Sequence, residues 1–293
     1  MSLLQGAKKS QTISTNGINL HYVSRGEGKL MLMLHGFPEF WYSWRYQIEE
    51  FAKNYRVVAL DLRGYNYSDR PSDRSAYKME EFIKDIEGVI KGLGYENCIL
   101  VAHDWGGAIA WSFAYERREM VEKLIVMNIP HPLLFQRGLK SYRQLLRSWY
   151  IFFFQLPLLP EFYLRQNNYE RIGTIFTGMA VDKSAFSAED IEAYKNAAAR
   201  PGALTAMLNY YRNIFKGLFA KKEANKMNFV LEIPTLMIWG EADTALGKEL
   251  TYGTEEYVKN LQIKYIPNCS HWVQQEKPDL VNQYMREFLK NYD

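Results

Sequence analysis

Asp104 stands in Ala102-His-Asp-Trp-Gly-Gly107, directly after the apolar run Cys98-Ile-Leu-Val-Ala102 and before a stretch with helical spacing. A strand that turns at once into a helix needs small residues two positions either side of the turn, and Ala102 and Gly106 fill those places. Such an elbow projects one side chain off the carboxyl end of a sheet, where open α/β sheets bind ligands. Serine is the familiar occupant, yet no Gly-x-Ser-x-Gly occurs in this chain. A carboxylate at the same point can attack carbon and form an ester. The plainer alternative is a strand ending in a capped helix, since Asp is a favoured N-cap.

Three further segments supply what a nucleophile needs. His35-Gly36-Phe37-Pro38 ends an earlier strand-like run, so the Phe37 N–H and the Trp105 N–H can form the two halves of an oxyanion hole. Trp239-Gly-Glu-Ala-Asp243 and Asn268-Cys-Ser-His271 each follow a later run, giving the chain order nucleophile, acid, base. His271, among polar neighbours between a strand and the last helix, suits a base. Asp243 is the best acid to orient it, because the loop after Met127 offers only Asn128, and Glu241 is the reserve. His21, in an early strand, reads as structural, His35 and His103 as braces of the backbone at their turns, and His131 as a turn residue. Cys269 lacks a base beside it and reads as inert.

The elements that must position these residues follow from apolar patterning. Leu30–Leu34, Arg56–Leu60, Cys98–Ala102, Lys123–Met127, Pro234–Trp239 and Gln262–Ile266 are short runs bounded by turns, as buried parallel strands are. Stretches 78–92 and 107–118 have helical spacing and supply crossovers. From His131 to Asn225 no strand-like run occurs. Amphipathic stretches near 139–154, 161–177, 187–199 and 203–219 instead suggest a helical insertion, opened by Pro130 and Pro132 and closed by Lys221-Lys-Glu-Ala-Asn225.

Composition bounds the rest. The 293 residues carry 36 basic and 33 acidic side chains, and a formal charge of +3 is too small to imply a nucleic-acid or anionic-membrane partner. Two cysteines exclude a disulfide framework and a cysteine-based zinc site. The start has no signal-peptide pattern, and Trp149–Pro160 is too short and too interrupted to span a bilayer, so a cytoplasmic protein is expected. Aromatic content is high, at 15%.

His35-Gly-Phe-Pro-Glu39, Asp61-Leu-Arg-Gly-Tyr65 with Ser68-Asp69, His103-Asp-Trp-Gly-Gly107 and Ser270-His-Trp-Val-Gln-Gln-Glu-Lys-Pro278 together resemble an α/β-hydrolase of the soluble epoxide hydrolase family. Asn66 departs from the family, which has Gly there. The resemblance implies an α/β-hydrolase fold, a mostly parallel sheet with flanking helices and a helical cap inserted after the sixth strand. It divides the chain into a core, 1–130 and 226–293, and a cap, 131–225. It also implies that two cap tyrosines, Tyr150 and Tyr211, donate hydrogen bonds to an epoxide oxygen above Asp104, with Tyr210 able to replace Tyr211 if its helix rotates. Asp104, Asp243 and His271 are then the catalytic residues, and the product is a vicinal diol. The pocket is expected to be aromatic, around Phe37, Phe40, Trp41, Trp105, Tyr150, Phe153 and Tyr211, with His35, Pro38 and Phe153 on its wall.

No metal and no cofactor is implied. The expected partners are a small uncharged apolar epoxide and water, with neither nucleic acid nor membrane, in a monomer or homodimer. A dehalogenase with the same nucleophile is the nearest alternative. Fluoroacetate dehalogenases have Arg where this chain has Trp105, and a His-Trp pair where it has Trp149-Tyr150. Haloalkane dehalogenases share the Trp but typically add a second halide-binding Asn or Trp, and Phe37 holds the natural Asn position. A non-catalytic small-molecule receptor on this fold is the third reading.

Overall fold

Five consecutive buried residues, Leu30–Leu34, form a strand covered on both faces, and its neighbours repeat that pattern. The computed structural model describes residues 9–218 and 229–292. The amino-terminal residues read for a signal sequence, the Lys221–Asn225 stretch and the 225/226 boundary lie outside the described residues.

In chain order the elements are β1 Lys9–Thr15, β2 Ile18–Arg25, β3 Leu30–Leu34, α1 Arg45–Phe51, β4 Arg56–Leu60, α2 Met79–Gly92, β5 Cys98–His103, α3 Asp104–Glu116 and β6 Val121–Met127. Then come α4 Pro132–Gly138, α5 Tyr142–Arg147, α6 Trp149–Phe153, α7 Leu159–Met179, α8 Ala188–Ala198 and α9 Ala203–Leu218. The described chain closes with β7 Thr235–Gly240, β8 Leu261–Ile266, α10 Val273–Glu276 and α11 Pro278–Lys290.

The strands form one eight-stranded sheet in the order β1-β2-β4-β3-β5-β6-β7-β8. Pairing is parallel from β4 through β8, while β2 runs antiparallel to both β1 and β4. The six strand-like runs of the sequence fall on β3 to β8. The β1–β2 hairpin, of which only the His21 strand was expected, is joined by an Asn16-Gly17 turn with both residues at positive φ.

Between β6 and β7 the described chain forms helices joined by loops and adds no strand to the sheet, and it meets the core through polar bonds. The Tyr210 hydroxyl donates to the Arg63 carbonyl, Arg200 donates to Asn66, and Tyr42 and Arg45 meet Asp190 of α8. Two expected helices are broken. The 139–154 stretch splits into α5 and α6 at Ser148, and α7 is interrupted at Gln166–Tyr169, where Asn167, Asn168 and Tyr169 have φ of +50° to +61°. Asparagine tolerates that left-handed conformation, which apolar periodicity cannot register. The family departure at Asn66 has the same basis: its φ is +43°, and its side chain bonds Asp61 and Arg200.

Helix α3 begins at Asp104 itself, three residues before the expected start, because β5 passes into it with no loop. That junction depends on Gly106. A Cβ there would lie 2.4 Å from the Leu34 carbonyl oxygen and 2.6 Å from that of His35, both backbone atoms of the neighbouring strand end. Gly106→Ala should therefore lower unfolding stability by about 2 kcal/mol, read from urea denaturation. A variant as stable as the parent would show that the turn is not tightly packed.

Candidate active site

Asp104 is held at φ +47°, an uncommon conformation for a non-glycine residue. The elbow turns its carboxylate toward the end of β3, where the Phe37 N–H donates to Oδ1 at 2.8 Å. Gly36 admits that approach, since a Cβ at residue 36 would meet the Asp104 Cβ at 2.4 Å. The Trp105 N–H belongs to the first turn of α3, where amides have no partner within the helix.

On the other side His271 presents Nε2 at 3.6 Å from Asp104 Oδ2 and donates through Nδ1 to Asp243 Oδ2 at 2.7 Å. The loop after β7 thus carries Asp243 and the loop after β8 carries His271, both brought to the β5 elbow. Glu241 does not compete, because it is ion-paired to Lys248.

Burial opposes ionisation of Asp104, but the His271 imidazolium, aided by His103 and the Phe37 N–H, outweighs it and lowers the pKa. Burial likewise opposes ionisation of Asp243, and His271, the Leu246 N–H and Asn128 reverse the sign. For His271, burial would favour the neutral ring, yet the two carboxylates push its pKa up to about 10. The resting arrangement is one imidazolium between two carboxylates. Tyr150 and Tyr211 have pKa values raised first by burial and then by the Asp104 charge, so both phenols keep their protons at neutral pH.

These tyrosines share a cavity of about 310 Å³ with Asp104 and His271. The Tyr150 and Tyr211 rings meet edge to face at 5.9 Å, and the Trp105 ring packs edge to face on Tyr211 at 5.1 Å. Tyr210 faces away and is spent on the Arg63 carbonyl. Phe37, Trp149, Phe153 and Phe154 line the cavity as well.

Several expected pocket residues are elsewhere. His35 and Pro38 are not on the cavity wall; the His35 ring is buried, bonded to the Gly36 carbonyl and the Leu62 N–H, and burial lowers its pKa. Phe40 packs on Tyr194 of α8 at 5.5 Å, and Trp41 packs on Phe40. Trp105 backs Tyr211 instead of lining the cavity. His21 is bonded to Asp61 and Ser10, and His131 to Tyr115 and the Leu133 N–H. Burial raises the Cys269 thiol pKa, leaving no thiolate at neutral pH. Among the described residues no His, Cys, Asp and Glu cluster could hold a metal ion.

Three polar residues support the site without having been singled out. Asn128, set aside for lacking a charge, donates to Asp243 Oδ2 at 2.7 Å and accepts from the Gly240 N–H, fixing the acid. Buried Glu39 accepts from the Gly36 N–H and from Gln274 and Gln275. It also meets His103, whose other nitrogen donates to the His271 carbonyl at 2.9 Å. Glu276 accepts from the Ser270 N–H beside the base and from the Val181 and Asp182 N–H groups after α7. Glu39 and Glu276 lie inside recognisable motifs, but their partners are distant in sequence. Position alone marks Asn128.

Residues 29–278 match the family described as alpha/beta hydrolase fold. The chain is 46% identical over 283 residues to epoxide hydrolase 3 of Xenopus tropicalis, covering 94% of this chain and 76% of that protein. It is 43% identical to the AB hydrolase superfamily protein YfhM of Bacillus subtilis, over 97% of this chain and 98% of the other. Among solved structures it is similar to a variant of a Bacillus megaterium epoxide hydrolase complexed with its product, (R)-3-[1]naphthyloxy-propane-1,2-diol. The TM-score there is 0.88 at 42% identity, over 96% of this chain and all of that one.

The charge arrangement has a measurable consequence. Asp104→Asn removes one of the two anions that raise the His271 pKa, so that pKa should fall in the variant. Imidazole NMR titration reads the shift, and an unchanged value would separate the two side chains.

Proposed function

The chain belongs to the α/β-hydrolase fold family, among its epoxide hydrolases, and on that premise we propose that it opens an epoxide to a vicinal diol through an Asp104 alkyl ester. The observation that carries this reading is the Asp104–His271–Asp243 line meeting Tyr150 and Tyr211 in one cavity. In this reading residues 131–225 are a cap whose part is to supply the two phenols.

The ionised Asp104 attacks an epoxide carbon as one C–O bond breaks, and a tyrosine donates its proton to the departing oxygen. This leaves an ester, a hydroxyl and a phenolate. The phenolate takes the proton of the His271 imidazolium, whose pKa falls once the Asp104 charge is lost in the ester. Neutral His271 then removes a proton from water as it attacks the ester carbonyl. The Phe37 and Trp105 N–H groups hold the oxyanion, and collapse releases the diol, the Asp104 carboxylate and the His271 imidazolium. The cycle closes with one epoxide and one water consumed, and asks nothing of a metal or cofactor.

The aromatic lining suits an uncharged epoxide with an apolar substituent. By likeness to the product held by the B. megaterium relative, aryl-bearing terminal epoxides are the first compounds to try. A dehalogenase would want the Trp105 indole on the cavity wall for halide, and here the ring packs behind Tyr211 and does not line the cavity.

Asp104→Asn should abolish diol formation from styrene oxide, and residual turnover would dismiss the nucleophile. His271→Gln should accumulate the ester, visible as one added substrate mass on the intact protein; no adduct would argue against two steps. Tyr150→Phe and Tyr211→Phe should each slow ester formation about 10²-fold in single-turnover experiments. The two half-reactions should also differ with pH. Ester formation needs ionised Asp104, whose pKa is lowered, so it should stay flat from about pH 5 to 8. Ester hydrolysis needs neutral His271 and should rise over the same interval. Parallel profiles would contradict these roles.

A further inference from the structure

Helix α5 is turned inside out, and its apolar stripe continues along the outer side of α6. Along 142–156, large apolar side chains recur at three- and four-residue spacing, at Tyr142, Leu145, Leu146, Trp149, Phe152 and Leu156. A surface helix ordinarily turns such a stripe to the core. Here all six are exposed, Tyr142 to 76% and Trp149 to 60%, while polar Gln144 and Ser148 are buried beneath them. The Gln144 amide donates to the Ala245 carbonyl at 2.8 Å and to Ser148 Oγ, and its oxygen accepts from the Gly247 N–H. Those bonds run to the loop that carries Asp243, so the helix cannot roll its stripe inward without orphaning buried amide groups.

The approach to α7 extends the same face with Leu158, 78% exposed, Leu159, and Phe162, 65% exposed. Phe153 joins the two parts, meeting Trp149 at 6.0 Å and Tyr163 at 5.7 Å. At ~200 Å² for a fully exposed large side chain, the bare apolar area is on the order of 1,000 Å². The largest patch on a typical monomer is about 300–600 Å².

Charge at the rim distinguishes the possible occupants. Between residues 137 and 171 six basic side chains stand against two acidic ones, although the whole chain is only +3. Both acids are engaged, Glu161 with Arg212 and Glu170 with Lys195. Glu249 of the core pairs with Arg147 and lies 3.8 Å from Arg143, while Lys140, Arg165 and Arg171 form no ion pair among the described residues. A two-fold dimer through this face would set the basic rim against its own copy. An anionic lipid surface satisfies both features, taking the apolar side chains at the headgroup boundary and the cations among the phosphates. The face is also continuous with the cavity, since Arg147, Trp149, Tyr163 and Arg171 line it.

We infer that this face docks on an anionic phospholipid surface. It is the membrane partner that the small overall charge had argued against, because that charge averages a basic rim with a rest of the chain that is slightly acidic. Docking there brings the cavity lining to the lipid in which an apolar epoxide dissolves.

Cosedimentation with phosphatidylcholine vesicles, with and without phosphatidylserine, tests the inference on the full chain. Binding should be at least about tenfold stronger with phosphatidylserine and should weaken as salt is raised. Combining Tyr142→Ser, Leu158→Ser and Phe162→Ser should reduce it about tenfold or more, with an unchanged circular dichroism spectrum and cooperative thermal unfolding as the check on folding. If that variant fails to fold, Lys140→Glu with Arg143→Glu decides, and should remove the preference for phosphatidylserine. Absence of vesicle binding, or equal binding by parent and variants, overturns the inference. So does a dimer by light scattering that the triple variant converts to monomer without any vesicle binding, which would give the face to a second copy. Sedimentation does not depend on catalysis, so the result stands apart from the fate of the epoxide reading.

Discussion

A carboxylate facing the cavity, ionised and pinned at a left-handed backbone angle, is the constraint from which most of this molecule follows. Asp104 bears an unfavourable φ because β5 must become α3 within one residue, and that is possible only where Gly106 lets the helix touch the end of β3. The charge is tolerated because His271 lies beside it and the Phe37 N–H donates to it. His271 in turn needs Asp243, and Asp243 needs Asn128 and two backbone amides. The loops after β3, β6, β7 and β8 are thus committed to the surroundings of one side chain.

A second layer of buried polar groups ties the helical insertion to that centre. Glu39, His103, Gln274 and Gln275 form a closed set beneath the site, and Gln275 carries it outward to Arg45 and to Tyr194 of α8. Glu276 does the same for the chain after α7, gripping the amide beside His271 with one oxygen and two insertion amides with the other. These buried polar groups link segments far apart in the chain, although the Gln274 amide oxygen has no hydrogen-bond partner among the described residues. They make the placement of the insertion, and therefore of Tyr150 and Tyr211, depend on the same loops that place the base.

The insertion uses its aromatic residues in two ways. Tyr150, Phe153, Phe154 and Tyr211 turn toward the cavity, Tyr142 and Phe162 are exposed on its outer face, and Trp149 stands at the edge between the two. Composition counts both sets together. Only the hydrogen bonds of Gln144 show that the outward stripe is built in.

The sequence by itself marked out Asp104, Asp243 and His271 as one group, the strands from β3 to β8 and the helical nature of 131–218. Each of these is written locally: an apolar run that ends in a turn, a small residue two places from a functional one, a loop directly after a strand. Tertiary structure decided everything that depends on partners far apart in the chain. It chose Tyr211 over Tyr210 through the Arg63 carbonyl and removed His35 from the pocket through the Leu62 amide. It also gave Asn128 and Glu276 their functions and turned a helical stripe outward. Periodicity reports which residues share a face of a helix, but the direction of that face is set by where the buried polar groups find their hydrogen bonds.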